Sequence, residues 1–255
     1  MEGPRLVLLV CSAASLAMTG IVGLRLLWLA WRSRGQAELL IGTAFTALTF
    51  VGVPLMGAAG MGRAAAGEIH FVLLTLGLVA VWLGLSCVAV FTSRTFHCEA
   101  GWANALACGI SGALAFIAWG LVHSLRSAPP EMLSFHAAHL WSGLLRVPMI
   151  AIFVWSGSAA MHAHLMAERR MTLGLSEPVA VDRLWLWSLV GFSQAAVYAT
   201  SLVLHARGVG MLVDPMGMCV VAVGGLLAAA AMYLTFLPPK AYLRHVHQHA
   251  ELQSF

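Results

Sequence analysis

Charge is scarce in this sequence: 9% of its 255 residues are charged and 60% are hydrophobic, where a soluble domain carries about 25% charged residues. So little charge cannot clothe a water-facing surface, and a soluble fold is excluded. Lysine is nearly absent, since Lys240 is the only one and lies beyond the last long apolar run. A retinal Schiff base in that run is excluded with it. Ten acidic residues are present, yet none falls inside the apolar runs defined below, which removes the carboxylate relay of proton pumps and the acidic sodium sites of many transporters. The five cysteines, Cys11, Cys87, Cys98, Cys108 and Cys219, contain no CxxC pair and read as small packing residues, not as a disulfide framework or thiolate metal site. Serine-hydrolase and phosphate-loop motifs are missing too. All but two of the 14 basic residues are scattered between the runs, which speaks against nucleic acid as a partner.

What is present is apolar length. Runs of about 20 residues cross a hydrocarbon core of ~30 Å, and seven occur: Leu6 to Trp31, Leu39 to Met61, Phe71 to Thr92, Trp102 to Val122, Leu140 to Met161, Leu184 to Leu204 and Met216 to Leu237. The expected fold is all-α, a polytopic membrane protein built as a seven-transmembrane-helix bundle in contact with the lipid bilayer. The first run stays apolar beyond the h-region of a signal peptide, and Val10 before Cys11 argues against lipoprotein processing. Residues 1–239 form the transmembrane domain, and residues 240–255 a short amphipathic tail in which Lys240 to Leu252 can lie on the membrane surface. Pro54 and Pro148 do not occupy matching places in two halves, which weakens a transporter-like repeat.

Orientation follows from the basic residues of the loops. One side holds Arg32, Arg34, Arg94, Arg169, Arg170, Arg183, Lys240 and Arg244, the other only Arg5, Arg63, Arg126 and Arg207. This places the N-terminus outside and the C-terminus in the cytoplasm.

Two arginines fall within the runs. Arg25 lies two turns before Arg32, from where a long side chain can snorkel to the headgroups. Arg146 follows His136, His139 and Gly143 at spacings of three, four and three, so all four share one helix face. The sixth run carries a matching stripe of Gln194, Tyr198, Ser201 and His205. The fifth run points inward and the sixth outward, which sets Arg146 and Tyr198 at similar depth. Arg146, Gln194, Tyr198, Ser201 and His139 are therefore the candidate ligand-binding residues of an outward-facing polar pocket, suited to a small anion.

Of 11 histidines, His70, His123, His136, His139 and His205 fall at the outer ends of the runs. Imidazoles from separate helices can ligate haem b, copper or zinc; equally, they can sit at the interface as amphipathic side chains without a ligand. A second group, His97, His162, His164, His245, His247 and His249, lies on the cytoplasmic side.

The stretches LRLLWLAWRSRGQAELLIG, Leu24 to Gly42, and FLPPKAYLRHV, Phe236 to Val246, resemble segments of bacterial seven-helix membrane proteins that have no known activity. The resemblance covers about 30 residues and implies a bacterial inner membrane. In helix number and histidine content the chain is also similar to the alkaline ceramidase and adiponectin-receptor superfamily of zinc hydrolases. It lacks the HxxxH of their last helix and their intramembrane aspartate.

These readings converge on a receptor-like, small-ligand-binding protein. A haem- or copper-binding redox protein and a zinc-dependent membrane hydrolase are the alternatives, and partner subunits are possible because no effector domain is evident. The orientation is directly testable: a fluorescent protein fused after Phe255 fluoresces, whereas alkaline phosphatase is active when fused after Ser127 and inactive after Phe255. The reverse pattern would overturn the assignment.

Overall fold

The computed structural model describes residues 3–66, 70–127, 136–171, 173–211, 214–244 and 246, and only the backbone of 3–9, 60–66 and 136–139. Its regular elements are all helical. They are α1 (Gly3–Ser33), α2, α3 (Phe71–Phe96), α4 (Gly101–Ser127), α5 (His136–Met171), α6 (Pro178–Ala206) and α7 (Pro215–Phe236); α2 is made of Gln36–Thr46, a π-helical segment Ala47–Gly52 and Val53–Ala66. Seven helices are long and apolar enough to cross a membrane, one for each run read from hydropathy. This fits an integral, multi-pass membrane protein, in which helices satisfy their own backbone groups where no water can.

The helices outrun the apolar stretches. α5 continues to Met171 rather than stopping at Met161, because Ala163, Leu165, Met166, Ala167 and Glu168 are strong helix formers even though the segment has turned polar. α6 begins at Pro178 rather than Leu184, so Asp182 lies within its first turns, and Glu38 and Glu168 likewise lie in helix ends. Local chemistry sets these termini. Pro178 and Pro215 occupy first helical positions, where a missing N–H costs nothing. Asp214 Oδ2 accepts from Gly217 N at 2.8 Å as the cap of α7. Gly174 and Gly208, at φ 71° and 72°, close α5 and α6; Leu175 N donates to Arg170 O and Val209 N to Leu204 O, bonds that a left-handed residue makes possible.

The two prolines behave differently. Pro54 can neither donate to Phe50 O nor avoid crowding that carbonyl, and the wide turn over Ala47–Gly52 lies just before it. Pro148 sits inside α5, which remains one helix across it.

Round the bundle each helix packs on its neighbours in sequence, α7 closes on α1, and α3 also reaches α5. α5 and α6 meet most closely. A Cβ on Gly191 would lie 2.6 Å from Gly157 Cα and 2.9 Å from Phe153 O, so two backbones touch where neither residue has a side chain. Nearby, Trp187 Nε1 donates to Ser156 Oγ at 3.1 Å. The same indole meets Phe45, Phe91 and Phe236 with ring centroids 6.2, 5.4 and 6.1 Å away. One side chain of α6 thereby touches α2, α3, α5 and α7.

After α7, residues 240–244 are helical; the rest of the expected tail helix, apart from Val246, lies outside the described residues. Leu243 and Val246 are half-buried. The Tyr242 hydroxyl donates to Asp182 Oδ2 of α6, and burial, followed by that bond and the carboxylate charge, pushes the phenol well above its ordinary range.

Two predictions follow from this packing. Gly191→Ala must separate α5 from α6 and lowers stability in detergent by on the order of 2 kcal/mol, while Gly109→Ala, whose Cβ would meet nothing within 4 Å, does not; equal melting temperatures would contradict the contact. Because Tyr242 stays protonated beyond the usual tyrosine pKa of about 10, its bond to Asp182 is intact below that pH and is lost as pH rises through the raised value. In the difference titration of wild type minus Tyr242→Phe, tyrosinate absorbance rises above the range of free tyrosine; a rise within that range would refute the bond.

Candidate functional site

Spacing along α5 and α6 determines what their seam contains. The helices run antiparallel from the Gly157–Gly191 contact, so each turn back along α5 is matched by one turn forward along α6. Phe153 stacks on Tyr198 with centroids 5.6 Å apart and planes 10° from parallel. Further along, Arg146 Nε donates to Ser201 Oγ at 2.8 Å, and Arg146 Nη1 donates to the Ser142 carbonyl. At the end of the seam Ser142 Oγ and His205 Nε2 are 3.3 Å apart. The imidazole lies on Gly143, where a Cβ would come within 3.1 Å of His205 Cδ2. Glycine at that position gives the ring room.

The structure thus brings together Arg146, Tyr198, Ser201 and His205 from the two predicted stripes. Gln194, one turn from Tyr198 toward the Trp187 side, is half-buried. His139 and His136 belong to α5, but their side chains lie outside the described residues. Ser142 was missed by the sequence reading, although it sits one turn before Arg146 and its residue type could have placed it in the stripe. A cavity between α3 and α4 lies apart from these residues.

Arg146 is half-buried. An arginine at the centre of a membrane helix costs about 3 kcal/mol by insertion scales, and hydrogen bonds from a charged donor return about 1.5–3 kcal/mol each. Its two bonds therefore suffice to hold it. Both acceptors are neutral, however, and among the described residues no carboxylate pairs with the guanidinium. The seam holds a cation together with the hydroxyls of Ser142, Tyr198 and Ser201 and the imidazole of His205. By contrast Arg25 is exposed on α1, in keeping with a side chain that reaches for headgroups.

The histidine rim is less convergent. His70 and His123 are exposed, and His123 stacks on Trp119 with centroids 5.4 Å apart. Among the described residues no three His, Cys, Asp or Glu side chains gather as metal ligands. At the opposite end His97 lies between Trp102 and Trp155, with centroids at 4.8 and 6.2 Å, and His164 Nδ1 is 3.0 Å from Val181 O. His162 is exposed, while the side chains of His245, His247 and His249 lie outside the described residues. The aromatic group around His97 was not foreseen, because its rings come from α4, α5 and the loop that follows α3. Comparison with protein-family models, with curated proteins and with solved structures finds no match to this chain.

Proposed function

We propose that the chain is a receptor-like protein of a bacterial inner membrane, N-terminus outside, that binds a small anionic ligand at the α5–α6 seam. The observation that carries this reading is the setting of Arg146, a half-buried guanidinium whose described bonds go only to Ser201 Oγ and the Ser142 carbonyl. An anion entering the seam would take the Arg146 Nε donor from Ser201. Ser201, Tyr198 and Gln194 would then offer O–H and N–H groups to it, a few polar groups fixing a ligand among apolar walls.

Such binding would also carry a signal. The Arg146–Ser201 bond crosses from α5 to α6, so replacing it with a ligand-mediated contact changes how the helices are held at that end. The ligand can shift the packing only by as much as it prefers one arrangement over the other. Pro148 lies two residues beyond Arg146 in α5, where one backbone bond is already missing.

The test is thermal stability of the detergent-purified protein against sulfate, phosphate, acetate and small dicarboxylates. A true ligand at a hundred times its Kd stabilises by about 2.7 kcal/mol. Sulfate and phosphate also strengthen burial non-specifically, so the readout is the difference from Arg146→Gln. Wild type is stabilised by at least one anion in a saturable way and the variant is not. Identical responses across the panel would sink the proposal.

A further inference from the structure

A second feature of the bundle lies between helices other than the two that form the seam. Between α3 and α4 lies a cavity of about 290 Å³, walled by Leu78, Val79 and Trp82 on one side and Ala115, Ala118 and Trp119 on the other. Space exists there because two alanines face an indole. The polar side-chain atoms of its α3 wall are already engaged: Thr75 Oγ1 donates to Phe71 O at 2.7 Å, and Trp82 Nε1 donates across to Ser111 O at 2.9 Å. The Trp82 bond also fixes the ring as the floor. With the Thr75 hydroxyl and Trp82 indole N–H engaged and the rest of its lining almost wholly carbon, such a cavity suits hydrocarbon.

The mouth has the opposite character. Arg126 lies one turn beyond Val122, which lines the cavity, and is exposed. Its guanidinium sits 5.8 Å from the Phe71 ring centroid, one turn before Thr75. The cation therefore bridges α4 to α3 at one end of the groove. From Thr75 to Trp82 the groove extends roughly 10 Å at 1.5 Å per residue, about a third of a hydrocarbon core of ~30 Å. An apolar slot of that depth with a cation at its rim matches an amphiphile whose head is anionic.

We propose that this groove holds an acyl chain of an anionic glycerophospholipid from the surrounding bilayer, its phosphate paired with Arg126. The first part of the chain lies between Trp82 and the alanines, and the remainder passes out toward the lipid. Trp119, stacked under His123, closes the side of the slot. Charge at the rim selects the headgroup and the alanines admit the chain.

The test is native mass spectrometry of the full chain, released from micelles that contain equal amounts of phosphatidylglycerol and phosphatidylcholine with matched acyl chains. One phosphatidylglycerol is retained per chain, with a preference of about fivefold, the effect expected of a single basic residue near an anionic headgroup. Arg126→Gln, a change at an exposed position, retains both lipids about equally. Ala118→Trp fills the slot and retains neither. Equal retention of the two lipids by wild type, an undiminished preference in Arg126→Gln, or a hydrophobic non-phospholipid found in place of either lipid would overturn the assignment. If Ala118→Trp fails to fold, the comparison of wild type with Arg126→Gln still decides it.

Discussion

Where Gly157 of α5 meets Gly191 of α6, backbone approaches backbone, and this approach fixes the spacing and register of the two helices for several turns on either side. On one side it brings Ser156 within hydrogen-bond reach of Trp187, whose ring then joins α2, α3 and α7. On the other it allows Phe153 to stack on Tyr198 and Arg146 to reach Ser201. In lipid there is no hydrophobic effect to draw apolar helices together, so close contact between small residues must do part of that work. A larger residue at either glycine would change the spacing on which every one of these polar contacts depends.

Four arginines show how the same charge is accommodated at different positions. Arg25 is exposed on α1, and Arg32 one helical stretch later lies over Trp28 at 5.5 Å. Arg126 lies over Phe71 at the mouth of a groove. Only Arg146 of these four is half-buried and bonded into the bundle. Its position within a packed seam, rather than its charge alone, makes it the strongest candidate for a ligand contact.

The number and approximate places of the helices were legible because hydropathy reports them directly. The helix ends were not, since α5 passes Met161 without change of backbone and stops only at a left-handed glycine. In the site, regular spacing correctly put Arg146 on the face that meets Ser201 and His205, because stripes on antiparallel neighbours face each other when the helices pack in sequence. The same reasoning could not show that Ser142 would accept from Arg146 or that Trp187 would collect four helices, as both depend on side-chain direction. Nor could it find the groove between α3 and α4. That space arises from Ala115 and Ala118 lying opposite Trp82, a match across helices that leaves no mark on either sequence segment.

The helices of seam and groove meet where α4 packs on α5. A Cβ on Gly120 of α4 would lie 2.7 Å from the Trp141 ring, and Phe116 meets the same ring with centroids 5.8 Å apart. Trp141 directly precedes Ser142, which accepts from Arg146, while Trp119 of the groove directly precedes Gly120. The indole fills the space left by Gly120, so α4 cannot move toward α5 there without displacing the ring, and the ring cannot move without shifting the start of the seam. Close-packed contacts of this kind transmit small displacements because they have no slack to absorb them. The Trp141–Gly120 contact thus ties α4, next to the groove residue Trp119, to α5, next to the seam residue Ser142.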